Sequence, residues 1–334
     1  MRVGTSLPLA FSKEAADRLL TRDAICEIAA AAERAGFDSI GAVEHPFPDD
    51  DWLATGGHHD LDPLVALSFA ASATSTIGLR TSLLVLPYRN PFLAARSIAS
   101  LDVLSGGRVV VGVGAGYLEA EFRALGVDFA ERNELLDEGI VAMRKAWTEE
   151  GVHLSGRHFE ARGHTMWPPP KQAGGPPIWG GGNSRRAIRR AVELCDGWMP
   201  MAYTPQSVSR RTGRLATFDD FRARLDYAAE HAAAVGRDRP LEVSFGLRAF
   251  PLPIDDDGGI DGLVAAAELM ASLGVTETSL DVTAALRMSS TDPGAAGMQA
   301  TSVAEHVAAL ERLGEEVVPR LHAVEVKGLL PVRR

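Results

Sequence analysis

Cysteine is nearly absent from this 334-residue chain, which carries only Cys26 and Cys195. Each sits in an apolar helical pattern, so neither a disulfide framework nor a thiolate metal site is expected, and both thiols read as buried and inert. The chain also lacks excess positive charge. A formal net charge of −10 leaves no concentrated basic face to neutralise phosphates, which argues against a nucleic-acid partner and for a small molecule. No apolar run approaches the roughly 20 residues needed to span a bilayer, so no membrane association is expected. Met1-Arg2-Val3-Gly4 runs straight into a strand-like segment without a secretory leader pattern, and the expected location is cytoplasmic. What remains, 46% apolar and 23% charged residues with 33 glycines and 19 prolines, is the profile of a packed, loop-rich enzyme.

Hydrophobic period and turn signals divide the chain into eight strand-helix pairs. Strands are expected at residues 2 to 7, 38 to 43, 78 to 86, 108 to 113, 176 to 179, 197 to 201, 241 to 247 and 277 to 282. Amphipathic helices are expected near residues 22 to 35, 61 to 75, 91 to 103, 131 to 149, 184 to 194, 218 to 235, 261 to 273 and 301 to 315. Such alternation implies a parallel sheet covered by helices. Helix-to-strand junctions are short and carry glycine (Gly36, Gly78, Gly106-Gly107, Gly274), whereas strand-to-helix junctions are long. That asymmetry places the functional loops on one face and favours a single α/β domain over residues 1 to 334. The expected fold is a (β/α)8 TIM barrel with long insertions in the mouth loops; an open doubly wound sheet is the competitor. Segments 151 to 175, 202 to 217 and 283 to 300 read as mouth loops or lids, and Asp255 to Gly259 as a solvated turn without calcium-loop spacing.

Two glycine clusters invite ligand chemistry. The run RVVVGVGAGY, Arg108 to Tyr117, is not a dinucleotide fingerprint, because Tyr117 stands where a small residue is needed and three strand-helix units precede it. Gly112, Gly114 and Gly116 fit either a strand end that a planar ligand or phosphate approaches closely or a tight turn without ligand. The run WGGGNSRR, Trp179 to Arg186, joins a strand to a helix, so a nest of N–H groups at Gly180 to Gly182 and the helix N-terminus offer an anion site. Asn183 or Ser184 would cap that helix, and an ordinary glycine-rich turn is the alternative.

At the end of the second strand, Val43-Glu44-His45-Pro46 directs His45 into a barrel mouth, where an imidazole suits proton transfer; Glu44 points to the opposite side and reads as structural. His58-His59-Asp60-Leu61-Asp62 reads as helix capping rather than metal ligation, and no metal is expected. Asn90 and Pro91 mark a capped helix start after the third strand.

Taken in order, Glu44-His45, Leu83 to Pro91, Leu104 to Arg108, Gly112 to Tyr117, Pro176 to Asn183 and Cys195 to Trp198 resemble the luciferase-like monooxygenase superfamily over roughly residues 1 to 200. Within it the chain is most similar to the coenzyme F420-dependent oxidoreductases, with flavin mononucleotide (FMN) monooxygenases as neighbours on the same scaffold. The resemblance implies a flavin or deazaflavin ring across the mouth, near Leu83 and Leu84, where a non-prolyl cis peptide is expected between those two residues. It implies cofactor contacts at Gly114, Ala115 and Gly116, a phosphate segment at Gly180, Gly181, Gly182, Asn183 and Ser184, and His45 as proton donor or orienter, with Tyr117 as a further candidate at the ring or substrate. A relative oxidising glucose 6-phosphate would have Glu where Tyr117 stands, which puts that activity in doubt here. The expected function is F420-dependent hydride transfer to or from a small organic substrate. The alternatives are an FMN-dependent monooxygenase using oxygen and a non-catalytic cofactor carrier or sensor. The resemblance further implies a homodimer and a flavin or F420 reductase as electron source.

Overall fold

The computed structural model describes residues 1–202, 213–255, 258–280, 282 and 302–329. Short, largely buried runs form strands where the pattern places them. They are β1 (Arg2–Ser6), β2 (Ser39–Ala42), β3 (Gly78–Val85), β4 (Val109–Gly114), β7 (Ile178–Gly181), β8 (Gly197–Met199), β9 (Glu242–Val243) and β10 (Glu277–Ser279). The sheet order is β10-β1-β2-β3-β4-β7-β8-β9, parallel throughout. Its edges meet: Ser244 and Glu277 form a parallel bridge, Phe245 N–H donates to the Glu277 carbonyl at 3.1 Å, and Thr276 N–H donates to the Val243 carbonyl at 2.8 Å. The sheet is therefore a closed (β/α)8 barrel.

Helices start where capping chemistry marks them. Thr21 caps Arg22–Arg34, Asp62 caps Pro63–Ala73, Asn90 caps Pro91–Leu104, Ser184 caps Arg185–Leu194, and Thr217 with Asp220 forms a capping box on Phe218–Ala234. Inside the barrel Arg80 pairs with Glu277, and Ser39 Oγ donates to the same carboxylate at 3.2 Å. Both charged side chains are buried, so each depends on the other for compensation.

Segment 151 to 175 departs from expectation. It holds an antiparallel hairpin, β5 (Val152–Ser155) and β6 (Glu160–His164), between the helix Arg132–Thr148 and β7. A helix-to-strand connection emerges at the strands' N-terminal face. Accordingly Gln172 bonds to Asp102 and to the Val109 carbonyl, at the start of β4 and not over the mouth. Most of 202 to 217, all of 283 to 300, and Asp256 and Asp257 lie outside the described residues. Among the described residues, three strand-to-helix junctions fold into short α-helices that the period does not mark, Lys13–Leu19 after β1, Asp50–Ala54 after β2 and Glu119–Ala124 after β4. No helix among the described residues is long and apolar enough to cross a membrane.

Candidate active site

The C-terminal ends of β3, β4 and β7 converge, and glycine sets how closely. Pairing steps from Thr81–Val111 to Leu84–Val113, leaving Ser82 and Leu83 opposite the single Gly112. A Cβ on Gly112 would stand 2.1 Å from the Thr81 carbonyl oxygen, so this bulge requires glycine. The cis peptide is Ser82–Leu83, one bond before the expected Leu83–Leu84, in line with a bulge that contains residues 82 and 83. Leu84 instead faces the core and is fully buried. The Leu83 side chain turns towards the strand ends. There, Cβ atoms on Gly114 and Gly181 would approach its Cδ1 to 3.0 and 2.3 Å, so these glycines make room for Leu83.

Over Leu83 opens a cleft of about 360 Å3, with Gly114, Ala115, Gly116 and Tyr117 on one side and Gly181, Gly182 and Ser184 on the other. Gly116 (φ +77°) and Gly182 (φ +109°) occupy the left-handed region. The Ser184 hydroxyl accepts from Ala187 N–H at 3.1 Å, and the helix it caps points its positive end at the cleft. Arg132, Arg186 and Arg190 line the same end. Arg186 pairs with Glu134 and Asp137 at 2.8 and 2.7 Å, and Arg190 pairs with Asp137. The helix end and these guanidiniums give this end of the cleft the donors that an anion site requires.

Gly180 and Asn183 build the wall behind this cleft. A Cβ on Gly180 would meet Cys195 Sγ at 3.2 Å. The buried Asn183 amide donates to the carbonyls of Met201 (2.6 Å) and Gly213 (2.9 Å) and accepts from Met201 N–H (2.9 Å). Arg185 lies over the Tyr227 ring. Glu44, expected to be structural, is buried; it accepts from Val85 N–H at 2.5 Å and pairs with Arg89, anchoring the end of β3.

Beside the cleft, Tyr117 OH lies 3.0 Å from His45 Nε2, and His45 Nδ1 lies 3.3 Å from Glu121 Oε2. Glu121 is fully buried and also accepts from Phe47 N–H (3.2 Å) and Tyr88 OH (2.9 Å). Burial, together with the Glu121 charge, pushes the Tyr88 phenol up, so it stays a neutral donor. Trp52 packs on the His45 ring at 4.3 Å and His58 meets it edge-on at 5.2 Å, so the imidazole is walled in, its side chain 9% exposed. Tyr117, not His45, lines the cleft. Asp60 accepts from His45 N–H at 3.3 Å, and burial pushes it up to about 7. Sequence reasoning missed Glu121, Trp52 and the role of Asp60. The two short helices that carry Glu121 and Trp52 have too few turns to show a period, although Asp49 ahead of Trp52 is a cap signal.

A closed barrel with a glycine-lined, basic-ended cleft at its C-terminal mouth defines a cofactor-enzyme scaffold, and residues 1–260 match the luciferase-like monooxygenase family: the chain belongs to it. An F420-dependent glucose-6-phosphate dehydrogenase of Beutenbergia cavernae is 29% identical over 94% of this chain and 97% of its own length. An FMNH(2)-dependent dimethylsulfone monooxygenase of Pseudomonas putida is 29% identical over 63% of this chain and 55% of its own. The chain spans about half the length (54%) of an uncharacterized Mycobacterium tuberculosis relative at 35% identity, that match covering 48% of this chain. Among solved structures, a coenzyme F420-dependent tetrahydromethanopterin reductase from Methanopyrus kandleri superposes with a TM-score of 0.67 at 17% identity, covering 96% of this chain and 99% of that one. A monooxygenase from Streptomyces bottropensis gives 0.69 at 22%, with the same coverages. At such identities the likeness is one of fold.

Proposed function

We propose that the chain is an oxidoreductase that binds coenzyme F420 in the cleft over Leu83 and transfers hydride to or from a small organic substrate. The observation that carries this reading is the end-to-end similarity to an F420-dependent dehydrogenase, whereas similarity to the FMNH(2)-dependent monooxygenase spans just over half of that protein. The cleft fits the group: Leu83 offers an apolar floor for a ring, and Gly182, Ser184, Arg186 and Arg190 offer an anion site for a phosphate. When bound, the deazaflavin supplies the hydride chemistry, and the chain positions it and handles protons through Tyr117 and His45. Tyr117 in place of Glu separates this chain from glucose 6-phosphate oxidation.

Titrating purified apoprotein with F420 and with FMN in separate experiments tests the reading. Binding of F420, followed by fluorescence, is the expected result. Tight FMN binding with none of F420, accompanied by oxygen uptake when a flavin reductase is supplied, would overturn it in favour of the monooxygenase. Binding of F420 with no hydride transfer by the parent, and the same affinity in His45→Ala, would point to a carrier or sensor. A cytoplasmic homodimer served by a separate reductase completes the proposal.

A further inference from the structure

His45 has no open face towards the cleft, yet it joins the cleft to a buried carboxylate. Its Nε2 lies 3.0 Å from Tyr117 OH, its Nδ1 lies 3.3 Å from Glu121 Oε2, and Trp52 and His58 close the sides of the ring. Tyr117 alone of the three lines the cleft. We propose that Glu121 is the positioning residue of a three-member proton relay, Glu121–His45–Tyr117, in which Tyr117 exchanges the proton with a hydroxyl or carbonyl substrate. This deepens the oxidoreductase reading and rests on it.

The hydrogen-bond inventory sets the direction. An ionised carboxylate only accepts, and Glu121 already takes the Phe47 N–H and the Tyr88 O–H. A third neighbour at hydrogen-bonding distance has to donate as well, so His45 carries its proton on Nδ1. Nε2 is then left as an acceptor, and Tyr117 O–H donates to it.

In the oxidative direction, an alcohol O–H gives its proton to the Tyr117 oxygen as the Tyr117 proton passes to His45 Nε2. The C–O bond becomes a carbonyl, and the acceptor for the hydride and its electron pair would be the deazaflavin proposed above. His45 becomes an imidazolium whose charge faces the Glu121 carboxylate across 3.3 Å. The reductive direction runs the same transfers backwards and protonates the nascent alkoxide. The substrate class is therefore an alcohol and carbonyl pair, and the carboxylate acts only through the histidine. Orienting an imidazole with a buried carboxylate is a general device for stabilising the charged ring.

The test reads the ring itself. In the chain without cofactor, 15N NMR of histidine-labelled protein is expected to show His45 protonated on Nδ1 with Nε2 as acceptor. In E121Q, whose amide keeps the shape and loses the charge, turnover of an alcohol with F420 is expected to fall about tenfold or more with KM little changed. The other titratable groups facing the ring are His58, Asp60, Tyr117 and, beyond Glu121, Tyr88; E121Q leaves each of them in place. A His45 protonated on Nε2, or turnover unchanged in E121Q, would overturn the relay, and the parent tautomer decides the question even if the variant does not fold. Failure of F420 to bind would remove the cofactor reading and leave this measurement standing. An Nε2-protonated ring would remove the relay and leave the cofactor reading standing.

Discussion

Asp60 shows how one buried carboxyl at the mouth links the site to stability. Burial, with the Glu121 and Asp62 charges adding and the hydrogen bond from His45 N–H opposing, pushes it from 3.8 up to about 7. The folded chain thus holds a proton that the unfolded chain releases between those values. Stability from this group is complete below about 3.8, declines as pH rises, and is lost above about 7. Asp60→Asn keeps an acceptor for His45 N–H and abolishes the titration. Its melting temperature is expected to gain on the parent by about 2 °C or more between pH 5 and pH 8 in scanning calorimetry. Parallel curves for the two proteins would refute the assignment.

Between elements, the barrel floor depends on side chains that collect loop amides. Glu33, near the end of the helix Arg22–Arg34, accepts from the N–H groups of Ser75, Thr76 and Ile77 at 2.6–3.0 Å and from the Thr76 hydroxyl at 2.9 Å. This ties the turn that leads into β3 to the preceding helical layer. Burial would raise its pKa, but these four bonds outweigh it and hold Glu33 at about 2. The contribution is present above about pH 4.5 and lost as pH falls towards 2. Glu33→Ala is expected to cost about 1–2 kcal/mol at pH 7 in urea unfolding, and the gap from the parent should close on acidification. Arg108 works beside it, bonding to Ser105, Thr74, Ile77 and Ala71 and joining the foot of β4 to the start of β3.

Over the whole molecule, the neighbouring helices Pro63–Ala73 and Pro91–Leu104 present an apolar surface. Val65 is 56% exposed, Phe69 41%, Leu93 70% and Leu104 82%, and Pro63–Ala73 has no charged residue at all. A helix apolar on every side is ordinarily covered, which supports the proposed homodimer. Light scattering at micromolar concentration is expected to give a dimer mass for the parent and a monomer mass for the double variant Phe69→Lys, Leu93→Lys, with the far-ultraviolet circular dichroism unchanged. A parent monomer, or a variant that stays dimeric, would sink that part of the proposal.

The period of apolar residues, the glycines at helix ends and the caps at Thr21, Asp62, Asn90 and Ser184 are local signals, and they sufficed for the eight strands, their order and the barrel. The cleft-lining glycines and Tyr117 were legible for the same reason, since they lie at strand ends that the pattern places on one face. What lay out of reach depended on distant partners. The segment 151 to 175 leaves and rejoins the barrel at its floor because it links a helix to a strand, while its hairpin runs back along that helix to Glu131 and Glu138, and glycine content alone does not say which end of the barrel a segment occupies. The bulge at Ser82 and Leu83 is defined only against Gly112 of the next strand. Glu121, 76 residues from His45, becomes part of the site only when the short helix after β4 brings it under the imidazole. Sequence by itself determined the scaffold and the face that carries the glycine-lined cleft, because both follow from repeating local preferences. Tertiary structure alone decided which side chain meets the cleft and which stands behind it, because burial and hydrogen-bond partnership arise between elements far apart in the chain.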